Sequence, residues 1–473
     1  MLTLVVFYLV LGQATDVDIL MFTNTVGPVA LVGTLGLSAT LSAMRDTNNL
    51  WVPLFWFRIS TIVYFGIGSL VPLYGSLATR EYINLFFPVT DQQILDTNLL
   101  VAASALITLL GANVALVLFK PPRRDSPQNI RSLFWVGISF AIIGFAVKLL
   151  LVIPYTIGQG GGEALPGVVL NLSSLVPVSI YLLTRYTLLA KRKMLPLVLF
   201  LLLMDMGVSI LTYSKGAVII SAMMFMLGYL SQGVNRFRIL ISSASMFLLM
   251  ALLVPISDYA RNESGRRFGT VYGGTLSDRF DITQSYFGDE NSIGPMDGEQ
   301  KQGVFTRISY TNAAAFAMHL YNSGIKSHTL ENLWVLPIPR FLWEEKPAIT
   351  DIGMDFNELA GGSRSSGSAP GLFADAYWNF GWWGLPILML PLGFIYALMS
   401  RYALWVLING RWILFVVVML CIRMGFRVDG FLITDIFGPL FIVLAGHFCL
   451  VQIDKLMIKA AKHRTASAPA LNA

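Results

Sequence analysis

Apolar runs close to the width of a bilayer's hydrocarbon core recur along most of this chain, near 25–43, 50–74, 98–119, 133–155, 167–190, 194–213, 216–231, 237–256, 380–400, 411–425 and 430–451. Inside lipid every backbone polar group must be satisfied by the protein itself, so a crossing run of roughly 20 apolar residues has to be helical. Residues 1–12 are apolar as well and read as a short first span or an interfacial segment; no basic leader or cleavage pattern marks them as a signal peptide. The chain is 55% hydrophobic and 13% charged, where a soluble domain carries about 25% charged residues. The expected fold class is an all-α polytopic membrane protein with 11 or 12 transmembrane helices. Two cysteines, Cys421 and Cys449, and four scattered histidines, His319, His328, His447 and His463, form neither a disulfide framework nor a metal-ligand spacing.

Basic residues set the expected orientation. Lys120, Arg123, Arg124 and Arg131 share one connection, Lys191 to Lys193 a second, Arg236 and Arg238 a third, Arg401 and Arg411 a fourth, and Lys455, Lys459, Lys462 and Arg464 lie in the tail. They fall at every second connection, and one assignment places all of them in the cytoplasm. The net charge of +6 is then a topology signal and not a nucleic-acid footprint. This reading divides the chain into N-terminal helices over 1–256, a large external loop over 257–379, C-terminal helices over 380–453 and a cytoplasmic tail over 454–473. No internal repeat is visible, which disfavours many transporter folds.

The stretch from Ser257 to Asn379 interrupts the apolar pattern. It holds ten Lys/Arg against fifteen Asp/Glu, so it is net acidic and its arginines must be judged singly. Residues 258–305 read as irregular. Residues 306–323 read as one helix carrying both Arg307 and His319, capped by Gly324. In Trp334 to Pro347 the prolines forbid a regular helix, and aromatics flank Arg340 and Lys346. Gly361 to Ser368 reads as a linker or as a mobile sugar- or phosphate-contacting loop. Tyr377, Trp378 and Asn379 then lead into a span, as membrane-interface anchors or as stacking surfaces for sugar rings.

Charges inside apolar runs are costly and mark candidates. Arg58 is expected to snorkel to the cytoplasmic face. Asp205 is expected to pair with Lys148 or Lys215. Lys215 lies in the tight break Thr212-Tyr213-Ser214-Lys215-Gly216, at the same side as the long loop.

Three segments carry a resemblance. Ile338 to Pro347 has Pro-Arg, an aromatic, then Lys-Pro; Pro370 to Gly384 has an acidic turn followed by Tyr and Asn-Phe-Gly ahead of a span; Thr212 to Gly216 has a turn with Lys215 where an arginine is usual. Together with the layout they resemble the O-antigen polymerase (Wzy-type), or oligosaccharide repeat-unit polymerase, family. The resemblance implies a GT-C-like helical glycosyltransferase of the cell inner membrane, acting without metal or nucleotide cofactor on undecaprenyl-diphosphate-linked oligosaccharides at the periplasmic face. A chain-length regulator (Wzz-type) is a partner that such a role would bring. Arginine and lysine must then stabilise the departing diphosphate. Arg307, Arg340 and Lys215 are the foremost candidates, with His319 as general base and Asp375 or Glu358 as alternatives. Arg266, Arg267, Lys346, Arg423 and Arg427 follow as phosphate contacts, and Tyr377, Trp378 and Asn379 as sugar contacts. An O-antigen ligase shares the same leaving group, and a flippase for lipid-linked sugars is a rival of a different class.

Overall fold

The computed structural model describes residues 1–12, 16–124, 130–159, 167–190, 192–231, 233, 235–269, 273–288, 304–338, 342–343, 346, 351–362, 364 and 367–466. The described residues are helical with no strand, as an all-α polytopic membrane protein requires. Among the described residues, eight helices are long and apolar enough to cross a membrane: Val17–Arg45, Pro53–Tyr74, Asp91–Leu118, Ile130–Ile157, Asn171–Leu189, Phe237–Phe268, Leu385–Ile408 and Leu432–Leu456. Four shorter apolar helices, Leu2–Leu11, Leu195–Leu211, Gly216–Leu230 and Trp412–Phe426, occupy the remaining apolar runs. Local chemistry sets several starts. Thr90 and Gln93 form a reciprocal capping box ahead of Asp91–Leu118, and Asn235 accepts from Arg238 N at 2.8 Å to open Arg236–Phe268.

The chain divides into two compact units. The first comprises Met1–Ala43, Asn49–Asp125 and Gln302–Ala473. Its central seam is Leu385–Ile408 against Asp91–Leu118, and it depends on glycine. A Cβ on Gly393 would lie 1.8 Å from the Thr108 carbonyl oxygen, and one on Gly111 would lie 2.1 Å from that of Leu390. Small residues that let backbones touch are how membrane helices gain packing where lipid offers no hydrophobic drive. The two ends of this seam differ. At its Leu118 end, Arg401 donates to Leu116 O at 3.0 Å, Asn409 donates to Arg123 O at 3.2 Å, and Arg411 pairs with Asp454 at 2.5 Å. At its Asp91 end, Asn24 donates to Asp91 O at 2.9 Å and Thr97 meets the sulfur of Met318. Within this unit the basic connections thus gather at one end and the polar segment after residue 304 at the other.

The second unit comprises Met44–Asn48 and Ser126–Lys301. Its core joins Ala141 from Ile130–Val147, Val176, Ile180 and Leu183 from Leu175–Leu189, and Val198, Leu201 and Leu202 from Leu195–Leu211. Inside that unit Lys148 pairs with Asp205, and Ser221 donates to the other carboxylate oxygen. The expected partner for Asp205 is therefore Lys148.

Two features of the polar stretch differ from the sequence reading. Residues 258–305 are not irregular throughout: one helix runs on to Phe268 and a second spans Leu276–Gly288. Nothing breaks the first before Gly269, at φ 70, and Glu263 accepts from Arg266 and Arg267 one turn ahead, which supports the extension. Nor do Arg307 and His319 share a helix. Val304–Ile308 and Thr311–Asn322 are separated at Ser309 and Tyr310. At that break the backbone lies on Gly68, where a Cβ would be 2.2 Å from Ile308 O. Gly324 does cap the second helix, with φ 90 and its N–H donating to Tyr321 O at 3.0 Å.

Candidate functional site

The first unit gathers its charge where Phe415–Phe426 ends and Leu432–Phe437 begins. Arg423 lies in the last turn of the earlier helix, and Arg427 N closes that turn on Arg423 O at 3.1 Å. The chain then turns through Asp429 and Gly430. Asp435 folds back on this turn: Oδ2 accepts from Phe431 N at 3.1 Å and Thr434 Oγ1 at 2.9 Å, while Oδ1 faces Arg427 Nε at 2.9 Å. Gly430 is required here, because a Cβ would lie 1.9 Å from Asp435 Oδ2. Asp429, 8% exposed, holds Oδ1 3.4 Å from Arg427 Nε, and Tyr310 Oη donates to its Oδ2 at 3.5 Å. The Tyr310 ring meets Tyr64 edge-on at 5.3 Å, and Tyr64 meets Phe426 at 6.3 Å.

Electrostatics bind these groups together. Burial pushes the Asp429 carboxyl up from its ordinary value, opposed by Arg427. Burial likewise raises the Tyr310 phenol, and Asp429 adds to the rise while Arg427 and Arg307 oppose it. Burial alone would weaken the charge on Arg427, but Asp429 and Asp435 outweigh it and hold the guanidinium charged. Arg423 lies within electrostatic reach of Arg427 and Asp435. Three arginines and two aspartates leave this cluster at +1. Arg423 and Arg307 are both exposed positions, and Arg427 is engaged with carboxylates.

The turn is fixed from below by Asp375. This fully buried carboxylate accepts from Leu432 N at 2.8 Å, Thr329 Oγ1 at 2.9 Å and Asn379 Nδ2 at 3.1 Å. Burial pushes its pKa up to about 6, against the lowering effect of those donors. Alongside, Leu372 N donates to Val428 O at 2.9 Å. Gly371, at φ 83, lets the strand-like approach occur, since a Cβ would lie 2.6 Å from the Phe65 ring.

The other candidates from the sequence are distributed as follows. Tyr377 and Trp378 are 5% and 4% exposed. Tyr377 donates to Asn322 Oδ1 at 3.0 Å, Trp378 donates to Ile325 O at 2.9 Å, and Asn379 donates to Thr329 Oγ1 at 2.8 Å. Their faces and polar tips are already occupied inside the unit, so they do not offer a stacking surface; Phe380, Trp382 and Trp383 are the exposed aromatics of that segment. Lys346 closes its own loop on Ile338 O at 2.7 Å. His319 is an exposed position on a helix otherwise largely buried. Arg364 pairs with Asp355 and Glu358 at the surface, which engages the Glu358 alternative. Arg266 and Arg267 belong to the second unit and both pair with Glu263, at 2.7 and 2.6 Å. Lys215 begins the helix Lys215–Leu230 in that unit; its side chain, and Arg340 altogether, lie outside the described residues.

Sequence reasoning ranked Arg423 and Arg427 second and missed Tyr64, Tyr310, Asp429 and Asp435. The available signal was three ionisable residues, Arg427, Asp429 and Asp435, crowded between two apolar helices, an expensive arrangement that marks a site by default. Among the described residues no three His, Cys, Asp or Glu side chains gather as ligands for a metal. The chain matches no protein-family model, no curated protein and no solved structure.

Proposed function

We propose that this protein is a polytopic, GT-C-like glycosyltransferase that polymerises undecaprenyl-diphosphate-linked oligosaccharide repeat units at the outer face of the cell inner membrane. The observation that carries the reading is the arginine cluster itself. Arg423 lies one turn before Arg427 and Arg307 lies within electrostatic reach of Tyr310, at the end of the first unit remote from Arg401, Arg411 and the 120–124 connection. With the basic connections cytoplasmic, the cluster faces outward. A departing lipid diphosphate develops negative charge on its phosphate oxygens, and fixed guanidinium groups at a membrane surface stabilise it more than water would. The sequence resemblance over Thr212–Gly216, Ile338–Pro347 and Pro370–Gly384 supplies the sugar-polymer context.

The test is to replace Arg307, Arg423 and Arg427 singly by Ala in a strain lacking the native chain, verify membrane expression, and resolve the surface glycan on a gel. The expected result is loss of the ladder with single-repeat product retained. Accumulation of long lipid-linked polymer points to a ligase, and a normal ladder in all three variants defeats the site assignment.

A further inference from the structure

We propose that Tyr310 and Asp429 form the proton relay of the transfer: the acceptor sugar hydroxyl gives its proton to Tyr310 Oη as Tyr310 passes its own to Asp429. This rests on the glycosyl-transfer reading above and assigns the base that it needs.

The carboxylates near the arginine cluster differ in spare acceptor capacity. Both oxygens of Asp375 are filled, by Leu432 N on one side and by Thr329 and Asn379 on the other. Asp435 Oδ2 is filled by Phe431 N and Thr434 Oγ1, and its Oδ1 is held in an ion pair by Arg427 Nε at 2.9 Å. Asp429 is different. Its Oδ1 faces Arg427 Nε at 3.4 Å with no hydrogen bond from a described side chain, and Oδ2 accepts from the Tyr310 hydroxyl at 3.5 Å, so apart from its own backbone N–H its one side-chain hydrogen-bond donor among the described residues is that phenol. A buried acceptor that lacks donors is destabilised unless something fills it, and a proton would.

Access fits the same assignment. Asp429 is 8% exposed and out of direct reach of a sugar, but Tyr310 is partly exposed and stands in front of it. A phenol is both donor and acceptor, so it can take one proton while releasing another. The groups around the pair are Tyr64, Arg307, Arg427 and Asp435.

The step balances. The acceptor oxygen bonds to the anomeric carbon of the growing glycan, and the bond from that carbon to the phosphate oxygen breaks with its electron pair leaving on the diphosphate. The acceptor proton goes to Tyr310 Oη, and the former Tyr310 proton neutralises Asp429. Arg427, relieved of one carboxylate, gains attraction for the diphosphate as its charge appears. Asp429 then releases its proton to solvent before the next cycle.

The experiment uses the full-length protein in nanodiscs with lipid-diphosphate-linked repeat units as donor and acceptor. Tyr310→Phe keeps the ring against Tyr64 and removes only the hydroxyl. Tyr310→Phe and Asp429→Asn are each expected to lower kcat about 100-fold or more, with KM within about threefold of wild type. The double variant should be no slower than the worse single one, because both act in one relay. Asp429→Glu should recover part of the rate that Asn loses. If wild type polymerises and either Tyr310→Phe or Asp429→Asn keeps kcat within threefold, the relay is wrong; so it is if the two losses multiply. If the wild-type protein makes no polymer, the glycosyl-transfer reading itself falls.

Discussion

Lys148 and Asp205, 57 positions apart in the chain, form an ion pair inside the apolar bundle of the second unit. Asp205 is fully buried, Lys148 is 7% exposed, and Ser221 donates to the second carboxylate oxygen. Two charges moved out of water are tolerable only while each has the other, so removing one partner costs far more than removing both. Lys148→Met is expected to destabilise the protein by about 3–5 kcal/mol. The double variant Lys148→Met with Asp205→Leu should recover most of that loss. Thermal unfolding in detergent measures it, and a Lys148→Met protein as stable as wild type would show that the pair does not hold these helices.

Arg279 is a structural arginine. It is 1% exposed, donates to Thr156 O at 2.7 Å, Gly273 O at 3.0 Å and Leu211 O at 3.1 Å, and lies 4.7 Å above the Tyr213 ring. Leu211 ends its helix, where carbonyls lack partners and the helix dipole favours a cation. A lysine keeps the charge but not the planar fork. Arg279→Lys should therefore lower stability by about 2–4 kcal/mol, since charged hydrogen bonds carry about 1.5–3 kcal/mol each. An unchanged melting temperature for this variant would refute the assignment.

Asp375 gives the first unit a pH dependence. Burial raises its pKa to about 6 in the fold, whereas the unfolded chain releases that proton near pH 4. Between those values the folded state retains a proton the unfolded state has lost. Stability from this group is therefore full below about pH 4, falls as pH rises through about 6 and is level above, a change of about 3 kcal/mol. Asp375→Asn removes the titration. Its melting temperature should vary less than that of wild type between pH 4 and pH 7, and parallel curves would contradict the burial of a titrating carboxyl.

Gly393 sets the approach of the two central helices. Gly393→Ala places a methyl 1.8 Å from the Thr108 carbonyl oxygen, which is backbone and cannot rotate away. The helices must separate, at a cost of about 1–3 kcal/mol or more. Reduced yield of folded protein by size-exclusion fluorescence is expected for Gly393→Ala but not for Gly33→Ala, whose added methyl meets nothing within 4 Å.

The sequence alone determined the helical class and the position of nearly every long helix. Apolar run length reports the lipid environment directly, and in lipid a helix is the only open-ended solution. It also determined that Asp205 needs a cation and that Gly324 ends a helix, because both are local or forced by charge. Three things were decided by tertiary structure. The polar stretch is shared by two units, since the helix after Ser257 continues on i,i+4 bonds that hydropathy does not register. Tyr377 and Trp378 face inward, because partners near Asn322 and Ile325 capture their polar tips, and an aromatic's direction is not written in its flanking residues. The candidate site joins Tyr64, Tyr310, Arg427, Asp429 and Asp435, drawn from three distant segments by the glycines at 68 and 430 and the buried carboxylate at 375. Proximity of that kind depends on where backbones touch, which no periodicity along the chain encodes.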